Sequence, residues 1–275
     1  MAVKRKKRKI LLILVGVVIA LFIDSNTRIV CDKYEIESSS LPEAFDGFRI
    51  VQLSDLHGKV FGKDNEKLLR KIAAQKPDII AVTGDMVDKA GMVSYAEDLV
   101  SRLCEIAPVY YVTGNHEWAI KEARDVVAAV ERAGGTPLRN KYATVERGGD
   151  TIVIAGIDDP NGPYDMMTPQ ELSDKVDKNA PDTFSVLLAH RNDPFTYLGL
   201  TFDAVLCGHA HGGVIRLPVI GGLLGTNHKL FPDFTDGTFS LGSGTLFVSR
   251  GLGNANAIPR FLNNPQIAVL ELKRK

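Results

Sequence analysis

Five apolar, strand-like runs in this chain stop abruptly in small polar residues and metal-binding side chains. They end in Ser54-Asp55-Leu56-His57, Gly84-Asp85-Met86-Val87-Asp88, Gly114-Asn115-His116-Glu117, Ala189-His190-Arg191 and Gly208-His209-Ala210-His211. Five of the six histidines fall in these segments and only His228 lies outside. Histidines that merely fill a core would be scattered over apolar faces. In an α/β sheet the carboxyl ends of neighbouring strands converge on one crevice, so this pattern predicts a sheet with a single polar site along one end.

The rest of the chain supports that class. Candidate strands at 49–53, 79–83, 109–113, 151–157, 185–189, 204–207, 245–249 and 267–272 alternate with helical stretches at 65–74, 96–105 and 119–133. A further helix enters at Thr168, where Thr168-Pro169-Gln170-Glu171 reads as a capping box with proline at the first helical position. Gly148-Gly149 marks a hairpin turn, and the Pro/Gly-rich stretch 218–234 a long loop or irregular hairpin. No repeat or low-complexity linker interrupts the later sequence. The organisation expected is a basic N-terminus (1–9), an apolar segment (10–23), a lead-in (24–44) and one compact domain (45–275).

Charge constrains partners. Lys plus Arg and Asp plus Glu both number 33, but six of the first nine residues are cationic, so the bulk of the chain is slightly acidic and is not expected to bind nucleic acid. The basic cluster Lys4–Lys9 precedes fourteen uncharged residues, Ile10–Ile23. That is a secretory pattern, shorter than the roughly 20 residues of a straight membrane span. With no small-residue cleavage motif, no twin arginine and no lipoprotein-like context before Cys31, an uncleaved signal-anchor is the expectation, and a cleaved signal the alternative. The positive-inside tendency then places the domain outside the cytoplasm. Cys31, Cys104 and Cys207 are odd in number and lack CxxC spacing, which argues against a disulfide framework or a thiolate zinc site. Cys104 and Cys207, in apolar runs, are expected to be buried.

Aspartate, histidine and asparagine without thiolate suit Mn, Fe or Zn, and disfavour Cu(I) or an all-oxygen Ca site. The candidates outnumber the needs of one ion, so two divalent ions are expected.

The ordered set D-x-H, G-D-x-x-D, G-N-H-E, lone H and G-H-x-H, between Phe48 and His211, resembles the calcineurin-like metallophosphoesterases. The glycine- and proline-rich sequence after His211 resembles an exported or membrane-anchored bacterial branch, with Val214 where that branch commonly has Gln. The resemblance implies a four-layer α/β/β/α sandwich. It implies that Asp55, His57 and His211 hold one ion, that Asn115, His190 and His209 hold the other, and that Asp85 bridges them. His116 is left for proton transfer, with Glu117 and Asp88 as supporting carboxylates, each of which could equally be a loop acid or helix cap. Asp88 stands where purple acid phosphatases carry a tyrosinate, which argues against a purple Fe(III) enzyme. The implied reaction is in-line attack on a phosphate ester by hydroxide held between two cations, with no covalent nucleophile; Ser54 reads as a strand-end hydroxyl. Arg191 and Arg250 are candidate phosphate clamps, with structural pairing the alternative for each. A phosphodiester is the expected substrate. A phosphomonoester, a pyrophosphate such as that of a lipid-linked nucleotide sugar, and a non-catalytic scaffold are the alternatives.

Overall fold

The computed structural model describes residues 2–163, 166–226, 229–242, 244–254 and 258–275; His228 and part of the 218–234 stretch lie outside these. Two six-stranded sheets face each other. The first has the order β1 (Val30–Ser38), β14 (Gln266–Arg274), β2 (Arg49–Leu53), β3 (Ile79–Thr83), β4 (Val109–Val112), β5 (Thr136–Pro137). The second runs β12 (Gly237–Leu241), β13 (Gly244–Val248), β9 (Ala204–Cys207), β8 (Ser185–Leu188), β7 (Asp150–Gly156), β6 (Lys141–Arg147). Strands β2 to β5 are parallel, as are β7, β8, β9 and β13. Their carboxyl ends carry the motifs.

Alternation of side chains builds the layers. In β2, Ile50 faces the second sheet while Val51 and Leu53 face helices; in β9, Ala204 and Leu206 point inward and Val205 and Cys207 outward. The inter-sheet core collects Phe45, Phe48, Phe184 and Phe247 with Ile, Leu and Val from both sheets. Helices α2 (Glu66–Ala74), α3 (Val93–Cys104) and α5 (Ala123–Arg132) cover the outer face of the first sheet, and α6 (Pro169–Asn179) that of the second. This is the four-layer α/β/β/α arrangement. The capping box at Thr168 is formed, Glu171 N–H donating to Thr168 Oγ1 and Thr168 N–H to Glu171 Oε2.

Three expectations need correction. The lead-in contains β1, which pairs in parallel with β14 over nine residues, so the sheet begins before residue 45. Its charged, alternating sequence Asp32-Lys33-Tyr34-Glu35-Ile36-Glu37 buries Ile36 alone on one face, a weak signal typical of an edge strand. The helix expected over 119–133 starts later: a separate short helix, α4 (Asn115–Ala119), stops, Lys121 turns through φ 63°, and α5 begins at Ala123. Cys207 is buried but Cys104, at the end of α3, is only half-buried. The 218–234 stretch opens with an irregular hairpin, β10 (Ile215–Leu217) against β11 (Gly221–Leu224).

The N-terminal apolar run lies within a helix, α1 (Ala2–Thr27), whose residues 4–23 are exposed throughout. From Lys4 to Thr27 it is long and apolar enough to cross a membrane. Its last turn bonds to the domain: Leu262 N–H donates to Ser25 Oγ (2.8 Å), Asn26 Nδ2 to Arg260 O (2.9 Å) and Asn264 Nδ2 to Asp24 O (2.8 Å).

A chain beginning at Asp24 keeps β1 and these contacts and is expected to melt cooperatively. One beginning at Glu43 exposes the β14 edge and removes Ile36 and Leu41 from the inter-sheet core; it is expected to be insoluble or to melt at markedly lower temperature. Equal thermal unfolding curves for the two would show that β1 is dispensable.

Candidate metal centre

The motif residues converge at the carboxyl ends of β2, β3, β4, β8 and β9, and three groups of side chains place ligand atoms within 4.8 Å of one another. One is Asp55, His57 and His211; another is Asp85, His190 and His209; the third, His57, Asp85 and His116, joins them. His57 Nε2 lies 3.1 Å from His211 Nε2, and His211 Nε2 lies 3.3 Å from Asp55 Oδ1. His209 Nδ1 is 3.2 Å from His190 Nε2, which is 3.1 Å from Asn115 Oδ1 and 3.2 Å from Asp85 Oδ2. Ligand atoms at about 2.0–2.2 Å from one ion stand roughly 3.0–3.5 Å apart along the edges of a tetrahedral or octahedral shell. These nitrogen and oxygen atoms have that spacing, so the donor set fits a divalent cation.

Backbone geometry holds the ligands where a relaxed chain would not. Asp55, His57, Asp85, His209 and His211 all have positive φ, between 49° and 65°. Each such residue costs on the order of 1–2 kcal/mol. Neighbouring loops hold them there: Asp55 N–H donates to Gly84 O (3.1 Å) and His57 N–H to Asp85 O (2.9 Å). The motif glycines clear the space. A Cβ on Gly114 would collide with the Asp85 carboxylate, and one on Gly208 with Ser54 Oγ and the Asp55 carboxylate.

Glu117 is fully buried and clasps the site from beneath. Its carboxylate accepts N–H bonds from Asp85 (3.2 Å), Met86 (2.6 Å), Val87 (3.3 Å) and Gly114 (2.9 Å), tying the turn after β3 to the start of α4. Burial, then the Asp85 charge, push its pKa up to about 7, while the donated N–H groups pull the other way. Asp88 gives no matching support. It is half-buried and its carboxylate accepts no hydrogen bond among the described residues.

Burial holds three imidazoles neutral. It lowers the pKa of His57 to about 4 and of His209 to about 3, and takes His211 well below its ordinary value. Their lone pairs are thereby free for coordination. Burial also disfavours charge on His190, but the charge and hydrogen bond of Asp85 outweigh it and lift His190 to about 10. Burial pushes Asp55 up to about 6, against the charge of His190. The pair of buried carboxylates thus draws positive charge into the centre, a demand that a divalent cation also meets. His190 Nδ1 is 2.9 Å from Thr83 O, and an N–H donated there leaves Nε2 facing the ligand cluster. His116 differs from the others. Its N–H donates to Asp85 Oδ1 (2.8 Å), its Nε2 is 3.9 Å from Asp85 Oδ2, and its side chain is 28% exposed against 4% or less for His57, His190 and His211.

The two candidate arginine clamps part company. Arg191 Nη1 lies 3.1 Å from His209 Nε2, and its guanidinium is held bidentately by buried Asp159 (2.6 and 3.2 Å), at the rim of the centre. Arg250 instead pairs with Asp32 of β1 (2.6 Å). Ser54 Oγ donates to Thr83 O (3.2 Å), as a strand-end hydroxyl would. Two residues at the site are not evident from the motifs. Asp159 follows β7 in Ile157-Asp158-Asp159, a sixth apolar run closing on carboxylates, and that was the available signal. Arg260 is fully buried, donates to Gly253 O and Arg250 O (2.7 Å each) and places Nη2 3.4 Å from His211 Nδ1. Burial lowers its pKa to about 9. Nothing in its local sequence announces this. Two cavities flank the centre, one of about 700 Å³ lined by Trp118, Met166, His190 and Arg191, the other of about 360 Å³ lined by Phe195, His209 and Phe234.

An α/β/β/α sandwich with clustered imidazoles and carboxylates at its strand ends defines a metal-dependent hydrolase. Residues 48–213 match the family described as calcineurin-like phosphoesterase, and the chain belongs to that family of phosphoric ester hydrolases. It is 32% identical over 251 residues to the uncharacterized metallophosphoesterase YkuE of Bacillus subtilis, covering 88% of this chain and 84% of that one. It is 29% identical to the UDP-2,3-diacylglucosamine pyrophosphatase LpxG of Chlamydia trachomatis (84% and 86% covered) and 27% identical to the phosphodiesterase YaeI of Escherichia coli (82% of each). TT1561 of Thermus thermophilus shares the fold at a TM-score of 0.51 and 15% identity, over 76% of this chain and 90% of that one.

Asp85 is the only carboxylate in two of the three ligand groups among the described residues. Asp85→Asn is therefore expected to lose more bound metal than substitution of any other single ligand, measured by elemental analysis of protein dialysed against Mn, Zn or Fe. An Asp85→Asn variant with wild-type metal content and activity would contradict this.

Proposed function

We propose that the chain hydrolyses phosphodiesters with two divalent cations, Asp55, His57 and His211 holding one, Asn115, His190 and His209 the other, and Asp85 shared. The observation that carries this reading is the position of Asp85 between the two ligand groups. Cations bound there would lower the pKa of a water molecule and neutralise charge on the phosphoryl oxygens, chemistry for which Mn, Zn or Fe is suited by the N/O donor set. Neutral His57, His209 and His211 keep their lone pairs for coordination, and the Glu117 clasp holds the Asp85 turn in register. Arg191, already charged and fixed by Asp159, is placed to contact a phosphoryl oxygen at the rim. His116, more solvent-open than His57, His190 and His211, is the proton donor to the departing alkoxide.

Cavities on both the His190 and the His209 side leave room for a substituent on each side of phosphorus, which favours a diester or pyrophosphate over a monoester. The similarity to a phosphodiesterase and to a pyrophosphatase acting on a diacylated nucleotide sugar points the same way, and makes a lipid-linked pyrophosphate the second reading.

We also propose that α1 is a signal-anchor, with Lys4–Lys9 in the cytoplasm and the catalytic domain on the other face of the membrane. Protease added to intact spheroplasts is then expected to digest the domain; full protection would reverse the orientation.

If His116 donates the proton, His116→Gln should retain its metal and slow turnover by roughly 10² to 10⁴ on diesters with alkoxide leaving groups. The defect should shrink on p-nitrophenyl esters, whose leaving group departs without a proton. Metal loss in the variant, or equal impairment on both substrate types, would make His116 a ligand instead.

A further inference from the structure

The last turn of α1 and the β10–β11 hairpin meet on one short segment. Residues 260–264 bond to Asp24, Ser25 and Asn26 of the helix. On their other side Arg216 N–H donates to Phe261 O (3.0 Å), and Leu262 lines a cavity of about 410 Å³ together with Leu217, Pro218, Val219 and Ile220. The hairpin tip therefore lies one side chain away from the point where α1 enters the domain.

That tip is apolar and turned outward. Val219 is fully exposed, and Ile220, Leu230 and Phe231 are each more than half exposed. Leu230 and Phe231 belong to the same surface, because Leu230 bridges Leu224 of β11 and Phe231 N–H donates to Leu223 O (2.9 Å). Val219 also holds φ 71°, a conformation in which turns favour glycine or asparagine. A β-branched apolar residue there satisfies neither the backbone nor the core.

The length of the helix supplies the reason. The uncharged run Ile10–Ile23, at 1.5 Å per residue, covers about 21 Å, while the hydrocarbon layer is about 30 Å thick. Lysine side chains can reach outward at the basic end. At the other end Asp24, Ser25 and Asn26 are bonded into the domain, so a bilayer thicker than the apolar run would draw that face of the domain towards the headgroup layer.

We infer that Val219, Ile220, Leu230 and Phe231 form a second membrane contact, immersed in the interface of the phospholipid bilayer that α1 crosses. The inference rests on the reading of α1 as a membrane span. Its partner is the lipid surface itself.

The full-length chain in phosphatidylethanolamine/phosphatidylglycerol vesicles tests it. The native tryptophan is replaced (Trp118→Phe) and a single reporter introduced as Ile220→Trp, as Phe231→Trp or, on the edge strand of the other sheet, as Glu146→Trp. Apolar side chains immersed about 5–10 Å should be quenched roughly twofold or more by lipids brominated near the glycerol end of the acyl chain, whereas the reporter at 146 should not be. Carbonate extraction of the same vesicles reports on α1 separately. Retention of the chain with water-exposed reporters at 220 and 231 would overturn the inference and leave the anchor reading standing. Release of the chain together with unquenched reporters would overturn both.

Discussion

Two buried polar contacts between the sheets set the position of everything at the metal centre. His190, at the end of β8, meets the carbonyl of Thr83 at the end of β3 (2.9 Å), and Gln52 of β2 donates to Thr83 Oγ1 and to Cys207 O of β9 (2.8 and 2.9 Å). Apolar packing between the sheets carries no directional requirement of its own. Buried donors and acceptors do, because a lost partner costs about 1–3 kcal/mol. These bonds fix one sheet against the other where Asp55 and Asp85 of the first must meet His190, His209 and His211 of the second.

Once the sheets are in register, the site tolerates strain that a free loop would relax. Five candidate ligand residues occupy the left-handed region, and the energy that keeps them there comes from neighbours. Glu117 gathers four N–H groups, and glycines at 114 and 208 admit carboxylates where a Cβ would not fit. The short motif spacings follow from this. The glycines before Asn115 and His209 leave the space that the Asp85 and Asp55 carboxylates occupy.

The centre is also joined to the N-terminal helix. Asn26, in the last turn of α1, donates to Arg260 O (2.9 Å) and faces Arg260 N–H (3.3 Å), and the Arg260 guanidinium reaches His211 Nδ1. The helix and the ligand cluster therefore share one buried arginine, and β1, which follows the helix directly, adds the strand beside β14. The last turn of α1 and the strand β1 are part of the hydrolase domain's framework.

The core strands and the strand ends that carry chemistry were legible in the sequence, because apolar runs ending in Asp, His or Asn state both; the layer order came only from the resemblance to the calcineurin-like metallophosphoesterases. Edge strand β1 was not legible, since one buried residue, Ile36, gives almost no pattern, and its place follows from β14 more than two hundred residues away. Nor could local sequence separate Glu117 from Asp88, two acids at similar motif positions. Glu117 finds four N–H donors when the turns after β3 and β4 close on each other, and Asp88 finds none among the described residues. Arg260 and Asp159 likewise acquire their roles only from His211 and Arg191, which arrive from other strands. Sequence by itself determined which side chains are available and at which strand ends, for that depends on local periodicity; the tertiary structure alone decided which of them share one dielectric, one hydrogen-bond network and one cavity, because those are properties of distance and not of order along the chain.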